Sequence, residues 1–179
     1  MTLNFLKIFI TLSFGCVIHG ARTPKISTNT MEGYGHGLDT SPFVEVGNKL
    51  YHFGQNKASW FRASLICRSL GGNLASIDNS NELRLISEHL RTTCRTDRSY
   101  WISGSNLQGG GGFFCYNTGE RMTFADWAPG KPKNATGKDH CVNLMFTNNK
   151  FQMNDEDCNQ SDYYICEAEQ PTNVMVSVF

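Results

Sequence analysis

The sequence predicts an α+β domain in which two helices accompany short antiparallel strands and long loops, with disulfides as staples. Three observations predict it. Apolar residues alternate at the start of the folded part, recur at helical spacing through its middle, and break into short runs between Gly, Asn and Asp from Tyr100 onward. Six of the seven cysteines follow an N-terminal leader, and an even count in a secreted chain reads as a disulfide framework. A length of 179 residues suffices for one domain with a core of its own.

The leader is residues 1–21, where Lys7 precedes an apolar run from Ile8 to Ile18 and small residues follow at Gly20 and Ala21. That pattern is a signal peptide and predicts an extracellular, secreted protein. The run is shorter than the roughly 20 apolar residues a spanning helix needs, so membrane insertion is not expected. Lys7 and Cys16 leave with the leader, which takes 16 basic residues to 15 against 16 acidic ones. A net charge so near zero offers no electrostatic footprint for nucleic acid.

Residues 22–41 are rich in Thr, Ser, Asn and Gly without apolar periodicity and read as a flexible arm. The domain is expected over 42–169, with a tail at 170–179. It opens with Phe43, Val44, Val46, Leu50, Tyr51 and Phe53 around a Gly47-Asn48 turn, the pattern of two strands in a hairpin. A first helix follows, with Phe61, Leu65, Ile66, Cys67 and Leu70 near helical spacing and Gly71-Gly72 as its stop. A second begins at Asn79, three before Glu82 as in a capping box, and carries a Leu83, Ile86, Leu90 stripe. That stripe is ordinary core packing. Short strands are expected in "YWISGS", "GGFFCYN", "RMTFADW", "HCVNLMF", "KFQMN" and "DYYICEA". The Gly109–Gly112 run lacks the Lys-Ser/Thr ending of a phosphate loop and reads as a hairpin connection.

Together these residues resemble the C-type lectin domain over about Phe43 to Glu169. The landmarks are Cys67 on a helix, "WISG" at Trp101–Gly104, the Phe124-x-x-Trp127-x-x-Gly130 run, Cys141, Asn154-Asp155, Cys158 and a closing "YYICE". The resemblance implies disulfides Cys67–Cys166 and Cys141–Cys158. By elimination Cys94 and Cys115 form a third, tying the end of the second helix to the hairpin after Trp101; sequence alone does not fix connectivity.

The resemblance also implies a site. Sugar-binding relatives hold one calcium with a Glu-Pro-Asn or Gln-Pro-Asp triplet whose proline is cis, an acid two before the third cysteine, and an Asn-Asp pair before the fourth. Calcium takes about 6–8 oxygens, several of them charged. In this chain Asp139 is the acid and Asn154-Asp155 the pair, but the triplet reads Lys131-Pro132-Lys133. Two oxygen donors have become ammonium groups, and at about 4 Å each unit charge costs or gains ~4 kcal/mol at an effective dielectric of 20. The two lysines therefore disfavour tight calcium at the residual ligand positions Asp139, Asn154 and Asp155, and no other cofactor is indicated. Two arrangements stay open: the lysines bridge to Asp139 and Asp155 in place of the metal, or they point to water. The ligand-binding candidates are Lys131, Lys133, Asp139, Asn154 and Asp155.

Two sequons, Asn134-Ala-Thr136 and Asn159-Gln-Ser161, agree with secretion. Asn134 lies in a polar loop, where a glycan would stand beside the binding face; Asn159 follows a cysteine and is the more constrained. Trp60, Trp101 and Trp127 read as core aromatics, and Met153 fills the place before Asn-Asp where relatives carry tryptophan. The mature histidines His36, His52, His89 and His140 show no metal-binding spacing, and no nucleophile–base pair suggests an enzyme. The resemblance thus implies a lectin that recognises glycans or glycoproteins, as secreted single-domain relatives of arthropod type do on microbial or self surfaces. The alternative is calcium-independent binding of a protein, or of an acidic sugar, through the same loops. No heptad run predicts an oligomerising stalk.

Overall fold

The computed structural model describes residues 40–93, 96–109, 111–133 and 138–169, with the side chain of Asp139 excepted. The leader, the arm as far as residue 39, Cys94, Asn134 and the tail lie outside them. No helix among the described residues is long and apolar enough to cross a membrane.

The chain begins with β1 (Val44–Val46) and β2 (Lys49–Phe53), paired so that Val46 faces Lys49 across the Gly47-Asn48 turn. Gly47 has φ +70°, and a Cβ there would meet Leu85 Cδ1 at 2.8 Å. The glycine thus serves both the turn and the approach of the second helix. Then follow α1 (Trp60–Ser69), β3 (Gly72–Leu74), α2 (Ser80–Thr93), β4 (Tyr100–Ser105) and β5 (Phe114–Cys115). The chain closes with β6 (Asp139–Thr147), β7 (Lys150–Asp157) and β8 (Tyr163–Ala168). The sheet order is β1-β2-β8-β4-β6-β7, with β3 beside β8 and β5 beside β4. All pairings are antiparallel except β4 with β8.

Helix α1 departs from the expected stripe. Phe61 and Leu65 are 47% and 60% exposed, and the buried face is Trp60, Ala63, Ser64 and Cys67. Indole hydrogen bonding and a disulfide decide the orientation. Trp60 Nε1 donates to the Ile102 carbonyl at 2.8 Å, and Cys67 is bonded to Cys166 of β8. Helix α2 follows its sequence. Asn79 Oδ1 accepts from the Glu82 amide, Glu82 Oε2 accepts from the Asp78 amide, and Leu83, Ile86 and Leu90 are buried.

The α2 N-terminus is also tied to the sheet by charge. Lys49 Nζ lies 3.1 Å from Asp78, 2.9 Å from Glu82 and 3.1 Å from Glu167. Burial alone would lower the Lys49 pKa, but the Glu82 hydrogen bond and the Glu167 and Glu82 charges outweigh it and raise it. Burial pushes the Glu167 carboxyl up, with Lys49 opposing.

Segment 121–127 is not a strand; its backbone pairs with the sheet through single bridges, Phe114↔Arg121 and Trp127↔Met153. Cys67–Cys166 and Cys141–Cys158 are both formed. The expected Cys94–Cys115 pair is a correction, because Cys115 is a free thiol. It lines a cleft with Asn73, Ser76 and Glu167; Cys94 lies outside the described residues. Burial raises the thiol pKa against hydrogen bonds from Ser76 and Ser103, so Cys115 behaves as a partly buried neutral group.

Candidate ligand site

Two antiparallel strands and one loop build the site. β6 and β7 pair in register from Val142↔Asp155 to Thr147↔Lys150, joined by an Asn148-Asn149 turn in which both residues have positive φ, 50° and 61°. Alternation sends Val142, Leu144, Phe151 and Met153 into the core. Asn143 and Asn154, which face each other in the register, stand on the opposite side with Met145 and Gln152. The loop from Asp126 is laid along β7 by backbone bonds: Met153 N–H donates to the Asp126 carbonyl and Ala128 N–H to the Met153 carbonyl, both at 2.8 Å. Trp127 packs against Phe113 at its flank. Gly130 then turns at φ +76°, Lys131 N–H returns to the Ala128 carbonyl, and the Lys131-Pro132 peptide is cis.

That geometry delivers both lysines to Asp155. Lys131 Nζ stands 3.2 Å from Asp155 Oδ1 and 3.2 Å from its main-chain carbonyl. Lys133 contributes its backbone, whose N–H donates to Asp155 Oδ2 at 2.8 Å. The Asp155 side chain is fully buried, and a buried carboxylate requires such partners. The Lys133 residue itself is exposed. Of the two arrangements open from sequence, Lys131 takes the first toward Asp155, and Lys133 takes it only through its main chain. Asp139 opens β6 opposite Asp157.

Asn154 turns inward to its own network. Its Nδ2 donates to Asn143 Oδ1 at 3.0 Å, and Asn143 Nδ2 donates to Asp162 Oδ2 at 2.8 Å. Asn143 and Asp162 were not singled out from sequence. The signal was present for Asn143, since the alternation of "CVNLMF" puts it on the side away from Val142 and Leu144. Nothing local marks Asp162, which arrives from the far end of the chain. At the loop's other flank His140 Nδ1 bonds Asn106 Oδ1 at 2.6 Å. Asn159 is exposed, with Nδ2 on Asp157 Oδ1 at 3.0 Å.

As a calcium cradle the described set does not fit. An ammonium stands against the Asp155 oxygens, and the two residues that flank Pro132, Lys131 and Lys133, carry no side-chain oxygen. Calcium bound there would have to displace the lysine while finding fewer ligands than it needs. Among the described residues no group of three or more His, Cys, Asp and Glu could hold a metal ion.

Comparison with known proteins gives a consistent assignment. The family model for the lectin C-type domain matches residues 56–168. C-type lectin 37Db of Drosophila melanogaster is 37% identical over 135 residues, covering 73% of this chain and 87% of that protein. C-type lectin 37Da of the same fly is 32% identical over 165 residues, covering 87% and 88%. Among solved structures, lectin CEL-I of Cucumaria echinata matches with a TM-score of 0.65 at 19% identity, over 71% of this chain and 94% of that one. A calcium-independent type II antifreeze protein matches at 0.61 and 22%, over 73% and 93%.

Proposed function

The chain belongs to the C-type lectin domain family, and from that premise we propose that it is a secreted recognition protein that binds glycans without calcium. The observation that carries this reading is the Lys131 ammonium, held at 3.2 Å from both Asp155 Oδ1 and the Asp155 carbonyl. A loop that needs a cation to cancel a buried carboxylate has one of its own, covalently attached. It stands there without drawing an ion from the medium. Backbone bonds between Met153 and both Asp126 and Ala128 also tie the same loop to β7. The antifreeze relative in fold, described as calcium-independent, is a precedent at the level of the fold.

Recognition at this face asks for ordered polar groups, and the Asn154–Asn143–Asp162 chain of hydrogen bonds supplies them. The secreted location is supported by the leader and by the two disulfides, which belong to oxidising compartments. No catalytic step is assigned.

The test is a glycan array probed with the mature protein in millimolar calcium and again in chelator. The same glycans should be retained in both. Retention only with calcium would overturn the metal-free reading. Retention of none would turn the search to a protein ligand at the same loops.

A further inference from the structure

Resting on the glycan reading above, we infer that the sugar is taken by a polar cleft beside Lys131, floored by Asn143 and Asn154 and walled by Asp162, and that the ligand is a neutral, hydroxyl-rich one. The cleft has a volume of about 450 Å³ and is also edged by Glu156 and Gln160. That volume falls within the ~300–1,000 Å³ of small-ligand sites. It lies on the polar side of the β6–β7 pair and extends away from the loop tip toward the start of β8.

The chemistry of the floor selects the ligand. Asn143 and Asn154 are 2% and 6% exposed, and each has one amide hydrogen committed, to Asp162 and to Asn143 respectively. A carboxamide has two N–H donors, so each keeps a second. Lys131 adds an ammonium that donates to the Asp155 carbonyl and has further hydrogens to give. Asp162 and Glu156 supply carboxylate oxygens as acceptors. Donors and acceptors therefore line one small space together. A hydroxyl donates one bond and accepts others, so neighbouring hydroxyls match such a surface.

Charge excludes the competing classes. With Lys131 engaged by Asp155, the two carboxylates at the edge repel sulfate, phosphate or a sugar acid. A simple cation would leave the amide hydrogens unmatched. Met145 gives the cleft an apolar strip against which ring C–H groups can rest.

The walls are also held before ligand arrives. Asp162 exchanges both backbone bonds with Ala58, at 2.8 and 3.0 Å, and Tyr163 N–H donates to the Ser99 carbonyl at 3.1 Å. Preorganisation of this kind lowers the ordering cost of binding.

The experiment titrates the mature protein in chelator with methyl α-mannoside, methyl β-galactoside and N-acetylglucosamine. Side-chain amide resonances of Asn143 and Asn154 are followed by NMR. A sulfated disaccharide, propylammonium and, without chelator, calcium chloride form the comparison arms. At least one neutral sugar should shift both amide pairs, and the three charged probes should not. Asn143→Ala should weaken that sugar about tenfold, the loss that one or two hydrogen bonds to ligand correspond to. Gln160→Trp, at the exposed rim and outside the buried network, should block it while thermal unfolding stays as in wild type. Unchanged affinity in both variants overturns the cleft and leaves the glycan reading intact. Amide shifts produced only by the sulfated sugar, propylammonium or calcium overturn the ligand class. Failure of every sugar to bind wild type overturns the glycan reading and the cleft together.

Discussion

A lysine ammonium and a calcium ion can each neutralise a buried carboxylate, but only the lysine is tied to the loop it organises. The consequence can be measured at single residues. Lys131→Met should cost about 2 kcal/mol of stability, because the Asp155 carboxylate stays buried and loses its counter-charge. Asp155→Asn should recover part of that loss, so that the double variant departs from additivity by about 1–3 kcal/mol. Lys133→Met should fall within about 0.5 kcal/mol of wild type, since Lys133 reaches Asp155 through its backbone N–H. Additive Lys131 and Asp155 effects in urea denaturation would mean that the lysine contributes nothing as a partner. The family resemblance, and not any local pattern, placed Lys131, Lys133, Asp139, Asn154 and Asp155 at one site, since 131–133 and 154–155 are far apart along the chain. It did not separate the two lysines, since which one turns its side chain inward depends on the three-dimensional course of the loop around the Lys131-Pro132 peptide. It missed Asp162 for a similar reason, as no local pattern tells that a residue near the start of β8 will accept from Asn143 of β6.

At the scale of elements, α2 shows how a helix predicted from its cap and stripe acquires a contact that neither reveals. His89 lies half-buried one residue before Leu90 and stacks on Phe53 of β2, with ring centroids 4.5 Å apart. Burial lowers its pKa below the ordinary 6.5, so the folded protein binds this proton less readily than the unfolded chain does. The sign follows by linkage. Above 6.5 both states are neutral at this site and the helix–strand contact is intact, and as pH falls through 6.5 toward the folded value the unfolded chain takes up protons first, so stability declines. Urea midpoints measured from pH 7.5 to 5 should therefore fall in wild type, and the fall should be smaller in His89→Phe, which keeps the stack and removes the titration. Equal slopes would assign the acid sensitivity to other groups. The two helices also mark what is legible. α2 has caps and period in agreement and was read correctly, while α1 was rotated from its expected face because Trp60 and Cys67 bond to distant partners. Segment 121–127 read as a strand on composition, yet its backbone pairs with the sheet through single bridges, to Phe114 and Met153. Strand propensity reports a half-buried surface as much as a ladder, and this loop packs Met122, Phe124 and Trp127 on the core without one.

Across the whole molecule, the two disulfides divide stability from function. Cys67–Cys166 joins α1 to β8 over a separation of 99 residues, and β8 borders β2, β3 and β4. Cys141–Cys158 spans 17 residues and closes the β6–β7 pair that carries Asn143, Asn154 and Asp155. Chain entropy favours the long closure, at about 4.7 kcal/mol against about 3 for the short one. Replacing Cys67 and Cys166 together by Ala should therefore lower the denaturation midpoint more than replacing Cys141 and Cys158. The order should reverse for ligand. The short disulfide fixes the separation of the two strands on which the amides sit, so its loss should weaken sugar binding more than loss of the long one does, measured where both variants remain folded. A variant lacking Cys141–Cys158 that binds with wild-type affinity would show that the register of β6 and β7 is enough to hold the site. The outcome expected here is that register sets which side chains face the ligand, and the covalent clamp at the strand ends sets how far apart they stand.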